Sequence, residues 1–170
     1  ILIVDSLEKA KQMGASVLLM GVLTSGGILP DHWGEMIIKA LKLELSLVNG
    51  LHVSLNDKYS SYIIDKENQW IWDTRTPQFI PKIGSGEAMQ LNNKRVLMIG
   101  TDMAAGKMTV GLELYSYLKD KNVNVGFVAT GQVGITVTGK GIPLDAYKLD
   151  YACGAVQQAV VEEQDKDIVI

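Results

Sequence analysis

Residues 96–109 read Val-Leu-Met-Ile-Gly-Thr-Asp-Met-Ala-Ala-Gly-Lys-Met-Thr: an apolar run, a loop of small residues, and a lysine where a helix should begin. Main-chain N–H groups in such a loop, the positive end of the helix dipole and the Lys107 ammonium converge on one point, which favours an anion such as a phosphate. Five residues separate Gly100 from Gly106, one more than the GxxxxGK[ST] pattern holds. Met108 stands where that pattern has its magnesium-binding hydroxyl, and Thr109 comes one place late. The candidates for phosphate contact are Gly100, Thr101, Ala105, Gly106, Lys107, Met108 and Thr109. An ordinary strand-to-helix turn is the bland alternative. Asp102 lies inside the loop, where a carboxylate is a poor neighbour for an anion. It either serves an amine, a ribose hydroxyl or a metal, or accepts hydrogen bonds from the loop's own N–H groups.

Thr130-Gly-Gln-Val-Gly134 follows another apolar run, so Thr130, Gly131 and Gln132 fall on the same sheet edge and can face the same ligand. A plain glycine turn is the alternative there. Upstream, Ser25-Gly26-Gly27, Gly50-Leu51-His52 and Asp73-Thr74-Arg75 each stand just past an expected strand. Parallel strands would bring these loops to one crevice, the usual place for a small ligand. Gly26 and Gly27 offer backbone N–H groups, Asp73 a carboxylate, and Arg75 a planar fork suited to a carboxylate or phosphate. A salt bridge to Asp73 would instead make Arg75 structural. An imidazole titrates near neutrality, so His52 is a candidate general base, against the common structural role of a lone histidine. His32 reads as a surface residue, and Arg95, at the start of a strand, falls at the opposite edge.

The elements that must position these loops alternate. A strand at 1–4, a helix at 6–13 closed by Gly14 and a strand at 16–22 begin an α/β pattern. Asp31 is placed to cap a helix whose Trp33, Met36, Ile37, Ala40 and Leu41 share one face at helical spacing. A strand at 45–48, a polar helical stretch at 58–67 and a strand at 70–72 complete the first unit, residues 1–76. Pro77, Pro81, Gly84 and Gly86 then break any period, and residues 77–93 read as a connection. The second unit, 94–170, reads as a buried strand at 94–99, a helix at 107–119 with Val110, Leu114, Tyr117 and Leu118 on its packed face, and a strand at 124–129. A glycine-rich loop through Gly141, a long helix at 143–163 that Asp145 is placed to cap, and a strand at 167–170 follow. Cys153 beside Gly154 reads as a small buried helix contact, and the tryptophans and most methionines as core. The chain opens in one expected strand and closes in another, so both units read as incomplete.

The balance of 16 basic against 19 acidic residues, net charge −3, leaves no basic face for nucleic acid. The 47 % hydrophobic content supports a buried core, and no run reaches the ~20 apolar residues of a membrane helix. One cysteine excludes an internal disulfide and a CxxC metal or redox site, which suits the cytoplasm. The expected partners are a small-molecule substrate and further copies of the chain, with no nucleic acid, membrane or metal.

Taken in order, the motifs at 26–30, 48–52, 73–75, 100–109 and 127–134 resemble the DgcN-type D-glutamate N-acetyltransferase family across nearly the whole chain. The resemblance implies a Rossmann-like domain followed by a P-loop domain, both with parallel sheets. It implies acetyl-CoA as donor and a D-amino acid such as D-glutamate as acceptor. The Lys-Met-Thr ending of the loop is itself family-like, which points away from Mg-dependent hydrolysis. On this view the loop and Thr130, Gly131 and Gln132 bind the CoA, and Gly26, Gly27, Asp73 and Arg75 bind the acceptor. His52 or Asp102 takes the proton. The loop is also similar to the Gly-Thr-Asp-x-x-x-Gly-Lys-Thr cradle of dethiobiotin synthetase, which keeps an ATP- and Mg-dependent ligase or kinase as an alternative. A nucleotide- or CoA-binding module without turnover is a third reading.

Overall fold

The fold is that of a computed structural model, which describes residues 2–22, 24, 26 and 28–170. The chain divides into two compact units at Thr76 and Pro77. The first contains α1 (Leu7–Gln12), β1 (Val17–Met20), α2 (Trp33–Lys42), β2 (Ser46–Asn49), α3 (Leu55–Tyr59) and β3 (Ile71–Asp73). Its three strands are parallel in the order β1-β2-β3, with Met20, Asn49 and Asp73 aligned, so their carboxyl ends are level. The expected apolar face of α2 forms the core: Ile37, Ala40 and Leu41 are fully buried with Leu45, Leu47 and Leu55, and Trp33 and Met36 pack beside them. Ser6 caps α1 by accepting the Lys9 N–H, and Gly14 leaves that helix with φ 93°.

Three expectations for this unit are corrected. Residues 2–4 form no strand, and Leu2 and Ile3 are exposed; apolar residues without a neighbouring strand have nothing to pair with. Ile1 lies outside the described residues. Asp31 does not cap α2, whose N-cap position is His32 with no side-chain bond; the Asp31 carbonyl instead accepts the Gly34 N–H. The polar helical stretch starts earlier than expected because Ser54 accepts the Asp57 N–H, and it ends in a 3-10 turn at Ser60–Tyr62.

The second unit contains β4 (Lys94–Arg95), α4 (Lys107–Asp120), β5 (Val125–Gly126), α5 (Gln132–Thr138), α6 (Leu149–Glu162) and β6 (Ile168–Val169). Its strands are parallel in the order β4-β6-β5, and backbone bonds from Val96 to Val169 and from Val128 to Ile170 extend the ladder. The buried strand expected at 94–99 is shorter, with strand geometry only at Lys94–Arg95; among the described residues it pairs with β6 alone, and Leu97 and Ile99 are exposed. Val110 and Tyr117 are exposed as well. The packed face of α4 is centred on Gly111, where a Cβ would come 3.2 Å from Met98 and 3.4 Å from Phe127. Leu114, Tyr115 and Leu118 flank it on the same face. The long helix begins only at Leu149, after a separate 3-10 turn at Leu144–Ala146 that contains Asp145, so Asp145 is not its N-cap. Cys153 is exposed; its neighbour Gly154 is the buried contact.

Residues 82–90 are held against α6. Gln157 accepts the Ser85 and Gly86 N–H groups at 3.2 and 2.7 Å and donates to the Ser85 hydroxyl at 2.9 Å. Gly154 permits the crossing, because a Cβ there would lie 1.6 Å from the Lys82 carbonyl oxygen. No helix among the described residues is long and apolar enough to cross a membrane. Gly154→Ala forces two backbones apart, and overpacking of this kind costs about 1–3 kcal/mol or more. A lowered urea midpoint is expected; an unchanged one would show that the segment is free to move away.

Candidate functional site

The 100–109 loop is shaped by its backbone. Ala104 (φ 54°) and Gly106 (φ 88°) both adopt left-handed conformations, which turns successive N–H groups toward one side. Gly106 is the N-cap of α4 and has no side chain to offer, and the first turn holds no acidic residue. The opening N–H groups of a fourteen-residue helix are therefore left without a side-chain cap, an arrangement suited to an anion. Lys107 folds back over the loop, its Nζ donating to the Asp102 carbonyl at 2.6 Å. Its stem crosses Gly100, where a Cβ would come 3.1 Å from Cγ and Cδ, so any larger residue there would require the lysine stem to shift. The Asp102 carboxylate accepts the Met103 N–H at 2.7 Å, the internal bond that was the milder of its two readings. Thr101, Ala105 and Thr109 are exposed; Gly106, Lys107 and Met108 are half-buried.

Met108 turns away from the loop. A Cβ built on Gly134 would lie 3.0 Å from its Cε, 3.2 Å from its Sδ and 2.9 Å from the Ala129 Cβ. The thioether thus packs the start of α4 against Gly134 of α5, the helix that the 130–132 segment opens. That segment is less of a loop than its glycines suggest. Gly131 is the extended N-cap of α5 and Gln132 is its first residue, with the Gln132 carbonyl taken by Thr136 Oγ1 at 2.8 Å. The Thr130 carbonyl accepts the Leu144 N–H at 3.3 Å. The contact between Met108 and Gly134 was not read from the sequence; its trace there is a glycine placed inside a helix.

In the first unit the level strand ends do bring the 50–52 and 73–75 loops together. The joining group is a residue sequence reasoning missed, Asn49. Its Nδ2 donates to Asp73 Oδ1 and to the Val53 carbonyl, both at 2.7 Å, and its Oδ1 accepts the Leu51 N–H at 3.0 Å. The buried Asp73 carboxylate also accepts the Ser54 hydroxyl and the N–H groups of Leu55 and Asn56, at 2.9–3.0 Å. It caps α3 and ties β3 to β2, so its hydrogen-bonding capacity is filled from within the unit. Arg75 Nε donates to the Gly50 carbonyl at 2.6 Å, and burial draws its guanidinium below the ordinary arginine value. His52 is exposed on the loop that Asn49 holds, and makes no side-chain hydrogen bond among the described residues. Gly26 has φ 67° in a loop closed by the Thr24 hydroxyl on the Ile28 carbonyl at 2.6 Å. Gly27 lies outside the described residues.

Residues 1–77 match the family described as "Domain of unknown function (DUF1611_N) Rossmann-like domain", and residues 82–170 match "Domain of unknown function (DUF1611_C) P-loop domain". The chain belongs to the DUF1611 family. A crystal structure of a DUF1611 family protein from Anabaena variabilis superposes with a TM-score of 0.89 at 38 % identity, covering 98 % of this chain and 49 % of that one. Two proteins named D-glutamate N-acetyltransferase are also similar. The one from Tritonibacter scottomollicae is 32 % identical over 94 % of this chain and 48 % of its own length; the one from a Pseudoalteromonas species is 33 % identical over 96 % and 50 %. This DUF1611 chain therefore spans about half the length of the curated relatives it matches.

Two substitutions separate support from ligand contact. Asp73→Ala strands the Asn49 amide and uncaps α3, at a cost of roughly 2–4 kcal/mol. Denaturant unfolding should show it, and an unchanged midpoint would return Asp73 to the role of a free ligand group. Gly134→Ala should cost about 1–3 kcal/mol through the clash with Met108 and Ala129, with part of the loss recovered in the Met108→Ala background. Purely additive losses in that pair would show that the two side chains do not share the space.

Proposed function

We propose that this chain carries the donor-binding part of an acetyl-CoA-dependent N-acetyltransferase that acts on a D-amino acid such as D-glutamate. The observation that carries this reading is the uncapped start of α4, with Gly106 in the left-handed region and Lys107 already laid across the loop. The loop N–H groups hold the CoA phosphates, and Lys107 exchanges its bond to the Asp102 carbonyl for one to a phosphate oxygen. The names of the relatives supply the acyl group and the acceptor class. Acetyl-CoA, when bound, would supply the acetyl group as an activated thioester, with the CoA thiol as leaving group.

On the protein side the acceptor amine must lose a proton, and general-base help of this kind is worth about 10²–10⁴ in rate. Asp102 already accepts a loop N–H, whereas His52 is exposed without a hydrogen bond among the described residues. These two are the candidates, and Gly26 and Arg75 are the proposed groups for the acceptor carboxylate. The loop's five-residue spacing supports a second reading, an ATP- and Mg-dependent ligase or kinase. That reaction would want an oxygen where Met108 turns its thioether into α5.

Calorimetric titration of the full-length protein should show CoA binding that chelation of divalent ions leaves intact. Lys107→Ala should weaken it about tenfold or more. Absence of CoA binding, or indifference to this substitution, would sink the reading. Turnover of acetyl-CoA with D-glutamate and no ATP should fall about 10²–10⁴-fold when whichever of His52 and Asp102 is the base becomes alanine. Losses within a few-fold for both would remove the pair from that role, and ATP consumption that needs magnesium would favour the ligase.

A further inference from the structure

The second unit has another concavity that neither the loop nor the expected site residues use. A groove of about 370 Å³ lies between the 77–81 segment and the approach to α6, lined by Pro77, Phe79, Pro81, Tyr147, Lys148 and Tyr151 among others. The Phe79 and Tyr147 rings stand 5.8 Å apart, inclined at 37°, and the Tyr147 hydroxyl donates to the Phe79 carbonyl at 3.3 Å. Both side chains pack onto the buried cluster of Ile142, Ala155 and Ala159, so this wall is anchored in the core. The two prolines stiffen the facing backbone. Burial pushes the Tyr147 phenol up, so it stays neutral. Lys148 is exposed and has no ion pair among the described residues.

This lining has a definite chemistry. Aromatic faces and proline rings take a flat ring, and one unpaired ammonium takes an anion carried close to it. Its place in the fold links it to the phosphate loop. A helix that returns the chain to the next parallel strand starts at the carboxyl edge of the sheet, so the first turn of α6 opens on the edge where the 100–109 loop lies. The contact is also continuous: Leu144, three residues before Tyr147, bonds to Thr130, and the 130–134 segment is packed by Gly134 on Met108 of the loop's own helix. β4 and β5 at this edge are two strand spacings apart, about 10 Å.

We infer that the groove holds the adenine ring of the CoA donor, with Lys148 on its 3′-phosphate. This rests on the reading of the 100–109 loop as the site of the CoA phosphates. The donor is then held at two points along one sheet edge, by main-chain groups and Lys107 at the loop and by aromatic side chains and Lys148 at the groove. Lys148 becomes the residue that distinguishes CoA from the same molecule without its 3′-phosphate.

The test is calorimetric titration of the full-length protein with CoA, dephospho-CoA, adenosine 3′,5′-bisphosphate and 4′-phosphopantetheine. The parent should prefer CoA to dephospho-CoA by about tenfold. Lys148→Ala, an exposed position that should leave thermal unfolding unchanged, brings that ratio to about one. Lys107→Ala weakens both ligands and keeps the ratio. Tyr151→Ala weakens the bisphosphate by about tenfold and leaves 4′-phosphopantetheine unaffected. If the parent binds CoA but its preference survives Lys148→Ala, or if Tyr151→Ala weakens phosphopantetheine instead, the groove assignment is wrong and the loop reading stands. Failure of the parent to bind CoA at all overturns the loop reading, and this inference with it.

Discussion

In both sheets the strands run parallel, so each return to the starting edge requires a crossover, and every loop that follows a strand opens at the carboxyl edge. This geometric constraint gathers loops that are distant in the chain onto one edge of each sheet. In the first unit it sets Asn49 beside Asp73 and lets one amide and one carboxylate hold two loops. In the second it sets the start of α4, the 130–134 segment and the start of α6 along one edge. A uniformly antiparallel arrangement of the same strands would distribute these loops over two edges.

Met108 shows how one side chain alters what such an edge can do. At the position that follows the lysine, an oxygen would face the ligand and favour a metal. The thioether instead fills the space left by Gly134 and joins two helices. A side chain at a position that could have faced the loop becomes part of the packing behind it, and the open side of the loop is left with main-chain N–H groups and Lys107. Asp73 makes the same exchange in the other unit: a carboxylate at a strand end, the usual place for a ligand group, is fully engaged in capping and cross-linking.

The long apolar periods were legible. The apolar face of α2 and the alternation of strands and helices followed from spacing, because a helix has only one way to bury Ile37, Ala40 and Leu41 together, and the turn into α4 followed from its small residues. Edges and caps were not. Residues 94–99 read as buried, but among the described residues β4 pairs with β6 alone, and no apolar pattern states how many neighbours a strand will have. The packed stripe of α4 moved by one residue because Gly111 admits Met98 and Phe127 more closely than a side chain would. Asp31 has a good capping side chain in a backbone that does not present it.

For this protein, residue order by itself determined the alternation of strands and helices, the apolar face of α2 and the small-residue turn that enters α4, since these depend on period and on residue types within a few positions of each other; it did not determine α5 or the start of α6. Tertiary structure alone decided which polar side chains remain available. Asn49 and Asp73 are far apart in the chain and bond to each other only once β2 and β3 pair in register, with the 51–56 segment supplying their remaining partners. Met108 is taken out of the loop only by α5, and the aromatic groove exists only because the 77–81 segment lies beside the start of α6. Each is a contact between distant residues, and such contacts are set by packing rather than by local sequence.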